Sequence, residues 1–179
     1  NRHAKEPNTV LTEEVEIGDV EKGFAEADPT FDIEGHDAAH KICVISSLAY
    51  GKWIDSSSVS VQGITQISTL DIHFAKEMGY AIKLLGISKI VNDEIDIRVH
   101  PAMIHRSHPL ASVFNENNAI TINGDMTGAV TLHGKGAGSH PTASAVVSDI
   151  IQIARGNVSL PNTRAFTEAA YLSSEKRIT

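Results

Sequence analysis

Cysteine is nearly missing from this 179-residue chain, which has one, Cys43, against 15 basic and 22 acidic residues. A lone cysteine excludes an intrachain disulfide. Because Cys43 lies inside the apolar run "ICVISSLAYG", it reads as a small buried hydrophobe rather than a reactive thiol. Long hydrophobic runs are lacking too. The longest, such as "ITQISTLDI" and "ASAVVSDIIQIA", are broken by polar residues well before the roughly 20 needed to cross a bilayer, and no signal-peptide pattern opens the chain. A soluble, cytoplasmic protein is expected. Positive charge is also in short supply, and a net charge of -7 argues against a nucleic-acid surface, which needs clustered Lys and Arg. Small polar ligands remain open.

What is present is ordinary globular material. Hydrophobic residues make up 41% and charged residues 21%, and the length suits one domain with a real core. The first 22 residues are polar, include "TEEVEIGDVEK", and read as an exposed helix or a poorly ordered lead. Residues 24 to 36, with Pro29 and Gly35, predict a loop, and Asp37 stands where an N-cap would. A helix is expected over 37–50, on the spacing of Ala38, Ile42, Ile45, Leu48 and Ala49, with Gly51 ending it. "SVSVQGI" alternates like a short strand. "STLDIHFAKEMGY" opens with a Ser-x-x-Asp capping pattern and stops at Gly79, which predicts a second helix. "YAIKLLGISKI" and "EIDIRVHPAMI", joined by "VNDE", predict a hairpin, and "NAITINGDMTGAVTLHG" predicts another. A glycine-rich turn then feeds a third helix from about Pro141 to Arg155, with proline in its first turn. Beyond Gly156 the chain turns polar and irregular. Helices and hairpins fall in separate groups, so the expected class is α+β: a mixed, largely antiparallel sheet backed by helices.

Two residue clusters invite a cofactor or metal reading. Gly134, Gly136 and Gly138 follow a strand and precede a helix, but their spacing departs from G-x-G-x-x-G, and too little chain follows for a complete βαβ unit with its ribose-binding acid. Nine histidines include His36 and His40, four apart like the outer pair of a zinc-binding helix. The intervening "DAA" lacks the glutamate of that motif, and surface positions account equally for these two and for His100, His105 and His108. No metal is expected.

The densest chemistry is the charged approach to Lys41. Asp37 and Lys41 are four apart, hence on one helical face. One reading is an exposed ion pair worth about 0.3 to 0.5 kcal/mol. The other is a pocket at a helix N-terminus, flanked by Glu26, Asp28, Asp32 and Glu34, where a lysine exchanges a proton with a substrate hydroxyl and carboxylates bind an ammonium.

"GFAEADPTFDIEGHDAAHK" resembles the signature of homoserine dehydrogenases, which runs Gly, aromatic, small, Glu, x, Asp-Pro, two variable residues, Asp, aliphatic, x, Gly, x, Asp, three residues, Lys. The resemblance continues through "GYAIKLLGI", "HPLASV", "NAITINGD" and "GKGAGSHPTASAVVSDI", in family order. It implies that Lys41 is the catalytic acid/base and that Asp37 orients the amino acid. It further implies that Glu26 contacts the substrate amino group, that Gly23 offers a backbone contact, and that Asp32 is another acid near the site. Gly138 is implied as a backbone contact to the nicotinamide end of NADP or NAD, with the helix from Pro141 returning toward a nucleotide-binding domain.

The implied reaction interconverts L-homoserine and L-aspartate 4-semialdehyde by NAD(P)-dependent hydride transfer, a step of threonine, methionine and isoleucine biosynthesis. The implied fold is that of the C-terminal domain of glyceraldehyde-3-phosphate dehydrogenase-like enzymes, and a homodimer is expected. Residues 1–22 match the family poorly and offer no Rossmann domain, 23–156 form the expected catalytic and dimerisation domain, and 157–179 read as a connector. The expectation is a substrate-binding fragment, inactive without its nucleotide domain. Two other readings remain: a non-catalytic amino-acid-binding or assembly module, and a metal-dependent hydrolase built on His36 and His40.

Overall fold

In the computed structural model residues 8–13, 30–115, 117–156 and 166–173 are described. Their centre is a six-stranded sheet in the order β3-β5-β4-β1-β6-β7. β4 (Tyr80–Val91) and β5 (Glu94–His105) pair antiparallel along their whole length, as do β6 (Asn117–Gly124) and β7 (Gly128–Lys135). Asn92 and Asp93 turn the first hairpin with φ of 52° and 66°, two positive values in a row, the two-residue geometry that matches strand twist. β3 (Ser60–Val61) adds parallel to β5, so the sheet is mixed and largely antiparallel as expected.

The N-terminal segment departs from its reading. Asn8–Glu13 is a strand, β1, lying between β4 and β6 and antiparallel to both, where an exposed helix or a poorly ordered lead was expected. It joins the two hairpins into one sheet. "TVL" is too short a β-branched run for periodicity to reveal, and only its partners, far along the chain, make it a strand.

Period-two alternation places successive β4 side chains on opposite faces. Leu84 joins Ile95, Ile97 and Val99 against α2 (His36–Tyr50), whereas Leu85 packs on the other face with Leu110, Val113 and Ala119. Both faces are covered over this part of the sheet, which is why β4 reads as a nearly continuous apolar run. Gly86 lets α2 approach: a Cβ there would stand 3.3 Å from that of Ile42.

α2 begins one residue earlier than expected and without Asp37 as its cap. The N-cap is Gly35, left-handed with φ 82°, and Asp37 sits inside the first turn. Gly35 is buried, with the side chains of Val99 and Val61 only 3.1 and 3.2 Å from where its Cβ would be, so both its conformation and its space call for glycine. The buried face of α2 is Ala38, Ala39, Ile42, Cys43, Ser46 and Ser47; Leu48 and Ala49, expected inside, face outward. Gly51 closes the helix in the left-handed conformation.

α1 (Thr30–Ile33) is a single turn ahead of α2. α3 (Thr69–Glu77) carries the full capping box of Ser68 and Asp71. α4 (Ser139–Ala154) has Pro141 in its first turn. Residues 166–173 are more regular than their polarity implied. β8 (Thr167–Glu168) pairs parallel with β2 (Lys52–Trp53), Ile95 exchanges backbone hydrogen bonds with Ala170 and Leu172, and Leu172 is buried.

Candidate active site

The turn from α1 into α2 carries the charged stretch. Glu34 N–H donates to the Thr30 carbonyl and Gly35 N–H to that of Asp32, both at 2.9 Å, so the chain reverses within one helical turn. The turn is backed by Gly63, which has no room for a side chain: a Cβ would lie 2.4 Å from the Ile33 carbonyl oxygen. Ile64 N–H donates to that same oxygen at 2.9 Å. The start of α2 is thereby fixed against the sheet, and with it the side chains one turn on.

Asp37 and Lys41 meet as the helical spacing requires, Oδ2 to Nζ at 2.5 Å, with about a third of each side chain exposed. The pair is therefore neither a loose surface contact nor a sealed ion pair. Lys41 looks into a pocket of about 410 Å³ between α2 and the β6–β7 hairpin. Its walls are Ile45 on α2, Asn118 and Ile120 on β6, and the run from Leu132 to Gly136 on and beyond β7. Ile45, Ile120 and Leu132 give the pocket apolar wall, and Lys41 with His133 and Lys135 gives it polar ends, an arrangement that favours a small ligand with a polar group directed at Nζ.

Asn118 is the site residue that motif reading missed. In the amide orientation that satisfies both its ends, its oxygen accepts from Lys41 Nζ at 3.3 Å and its nitrogen donates to the Asn117 carbonyl at 3.1 Å. The signal for it was faint, a polar residue at the start of "NAITINGD". Behind this strand, Lys83 is buried, donates from Nζ to the Val113 carbonyl at 2.6 Å and lies 4.4 Å from the Phe114 ring centroid. It ties the segment before β6 to the sheet.

The other expected residues are distributed as follows. Asp32 is on α1, half-buried, in the turn that leads to Asp37. Gly138 is the N-cap of α4, with φ 115° and ψ 146°, two residues past Gly136 at the pocket rim. Gly23 and Glu26 lie outside the described residues. His36 and His40 pack on the Phe31 ring, centroids 5.8 and 5.5 Å away. Among the described residues no three of His, Cys, Asp and Glu cluster as metal ligands would. Cys43 is buried, and burial first, then the Asp55 carboxylate, push its thiol up to about 11, which leaves it a poor nucleophile at neutral pH.

The model of the homoserine dehydrogenase family matches residues 10–151. The chain belongs to the homoserine dehydrogenase family. A homoserine dehydrogenase of Neisseria gonorrhoeae is 51% identical over 133 residues, which cover 74% of this chain and 31% of that protein. Among solved structures, a homoserine dehydrogenase from Thiobacillus denitrificans superposes with a TM-score of 0.83 at 33% identity, over 94% of this chain and 46% of that one. A hyperthermophilic archaeal homoserine dehydrogenase mutant in complex with NADPH superposes at 0.65, with 25% identity, over 89% of this chain and 49% of that one. The chain thus spans about a third of the length of the curated relatives it matches. The likeness to these homoserine dehydrogenase structures bears out the α+β fold expected from the family, and the family match begins within β1.

Proposed function

We propose that this chain carries the substrate-binding and proton-transfer part of an NAD(P)-dependent homoserine dehydrogenase, an oxidoreductase of threonine, methionine and isoleucine biosynthesis acting in the cytoplasm as a homodimer. The observation that carries the reading is the placement of Lys41 Nζ: paired to Asp37, at the wall of a pocket that also presents Ile45, Ile120 and Leu132.

In the direction of reduction the carbonyl carbon of L-aspartate 4-semialdehyde gains a hydride, and the carbonyl oxygen, becoming an alkoxide, takes a proton from the Lys41 ammonium. In the reverse direction the neutral amine accepts the hydroxyl proton of L-homoserine. Asp37 orients Nζ and, with Asp32, Glu26 and the Gly23 backbone, holds the amino-acid end, whose ammonium suits carboxylates. The nicotinamide of NADP or NAD supplies or accepts the hydride when bound. Gly134 lines the pocket and nothing lies within 4 Å of the position its Cβ would take, which leaves room for a flat group against the backbone. Gly138, the N-cap of α4 two residues past Gly136, is the backbone contact that the family resemblance implies for the cofactor. The exposed apolar side chains of α4, Val146, Val147, Ile150 and Ile151, suit contact with a nucleotide-binding domain.

The test joins this chain to the nucleotide-binding domain of a relative and follows homoserine-dependent reduction of NAD and NADP, with calorimetry of L-homoserine on the same protein. Lys41→Ala is expected to lower kcat by about 100-fold or more, the range for loss of a general acid/base. Turnover near that of the unaltered protein would remove Lys41 from the reaction. Binding of homoserine without any turnover in the joined protein would favour an amino-acid-binding module instead.

A further inference from the structure

Lys41 has a second holder besides Asp37. Its Nζ meets the Asn118 amide oxygen at 3.3 Å, on the side of the pocket opposite α2, and the other end of that amide is anchored on the Asn117 carbonyl at 3.1 Å. The amide in turn fills the space in front of Gly136, where a Cβ would overlap its atoms at 2.2 Å. Two elements far apart in sequence therefore meet at one ammonium, α2 with Asp37 and β6 with Asn118, and the glycine turn after β7 lies against the amide. A flexible lysine held by a carboxylate alone swings about one point. Held from two sides it has a fixed position from which to reach a ligand in the pocket.

We propose that Asn118 is the positioning residue for Lys41, its amide oxygen fixing Nζ toward the pocket, and that Gly136 is glycine because that amide occupies the place of a side chain. The catalytic consequence rests on Lys41 being the proton donor; the contact does not.

The contact is read on the full chain as it stands, by trace acetylation of Lys41 with acetic anhydride across a pH range, quantified by peptide mass spectrometry against the exposed Lys76. Only the neutral amine reacts, so the profile reports how well the ammonium is held. Removing a neutral acceptor with Asn118→Ala leaves the ammonium less stabilised, and labelling below the midpoint is expected to rise roughly 3- to 10-fold. Asn118→Asp places a carboxylate at the same distance with the same shape, and labelling is expected to fall by a similar factor. Because this second variant is isosteric, it keeps the test valid if the alanine variant misfolds. A profile for Asn118→Ala that superimposes on that of the unaltered chain, or Asn118→Asp labelled no less than it, overturns the proposal. Loss of the dehydrogenase reading looks different: no turnover in the joined protein, with both labelling shifts intact.

Discussion

α2 and α4 are nearly the same length, 15 and 16 residues, and carry the same spacing of candidate inward positions. In α2 the pairs Ala38–Ala39, Ile42–Cys43 and Ser46–Ser47 are all buried, whereas in α4 the pairs Val146–Val147 and Ile150–Ile151 stand in the same relation and none is buried among the described residues. α4 carries a single charged residue, Asp149, where α2 carries Asp37 and Lys41. What separates them is what lies opposite. α2 is small-sided, two alanines and two serines flanking Ile42 and Cys43, and it settles onto a sheet that offers Gly86 to receive Ile42. α4 has bulky branched side chains, Val146, Val147, Ile150 and Ile151, that stay exposed. Helical spacing says which face seeks cover; it does not say that the same chain supplies it.

The largest expected effect sets the two faces directly against each other. Ile42 has 0% of its surface exposed and Ile150 has 59%. Ile42→Ala removes buried methyl groups and leaves a cavity under Gly86, at a cost of about 2 to 5 kcal/mol, while Ile150→Ala changes stability by about 0.5 kcal/mol or less. Urea denaturation of this chain measures both. If Ile150→Ala destabilises as much as Ile42→Ala, α4 is packed in solution and the contrast between the helices fails.

Legibility followed the same division between local and long-range causes. The hairpins were readable because "VNDE" and "NGDMTG" are turn chemistry flanked by alternation, and α3 because its cap is written into "STLD". The pair of Asp37 and Lys41 was readable because helical spacing guarantees it. β1 was not, since a strand whose two partners lie more than seventy and more than a hundred residues away carries no local mark of them. The N-cap at Gly35 was hidden by the more conventional Asp37, whose carboxylate is instead spent on Lys41. Asn118 was invisible for the same reason as β1: its importance comes from β6 lying across from α2, a matter of register and not of motif. The pairing of 166–173 was not readable because its apolar run "AAYL" is short, and the burial of Leu172 depends on Ile95, far off in sequence.

A second effect, somewhat smaller, sharpens the picture of α2 by titrating its buried face. The folded chain keeps the Cys43 proton up to about pH 11, whereas the thiol's ordinary value is 9.0. Below pH 9 both states are protonated and the group leaves stability unchanged. Between 9 and about 11 the unfolded chain releases the proton first, so stability falls with rising pH, by about 1.4 kcal/mol for each unit the two values differ. Denaturant titrations at pH 8 and pH 10.5 on this chain and on Cys43→Val check it, the variant losing less stability between the two. Equal losses would mean that Cys43 ionises in the folded state without penalty.

The smallest effect concerns how a helix survives with little buried. α3 exposes Leu70, Ile72 and Phe74 and buries only Ala75 among its nine residues, so packing contributes little to it. Its cap carries more of the load than in α2 or α4, whose N-caps are glycines without a side-chain hydrogen bond. Ser68 Oγ accepts from Asp71 N–H at 3.2 Å and donates to the Asp71 carboxylate at 2.6 Å, and Ser68 N–H donates to that carboxylate at 2.8 Å. These bonds, the hydroxyl's first and the backbone's second, hold the Asp71 carboxyl below its usual 3.8. Ser68→Ala should cost about 1 kcal/mol, read as roughly fivefold faster amide hydrogen exchange in the first turns of α3 with little change elsewhere. Because the carboxylate's value is depressed, the cap is fully formed above pH 3.8 and weakens as pH falls below it, and the variant, which keeps only the backbone bond to the carboxylate, should show less of that acid sensitivity. Unchanged exchange in Ser68→Ala would show that α3, like α2, is held by what it packs against and not by how it begins.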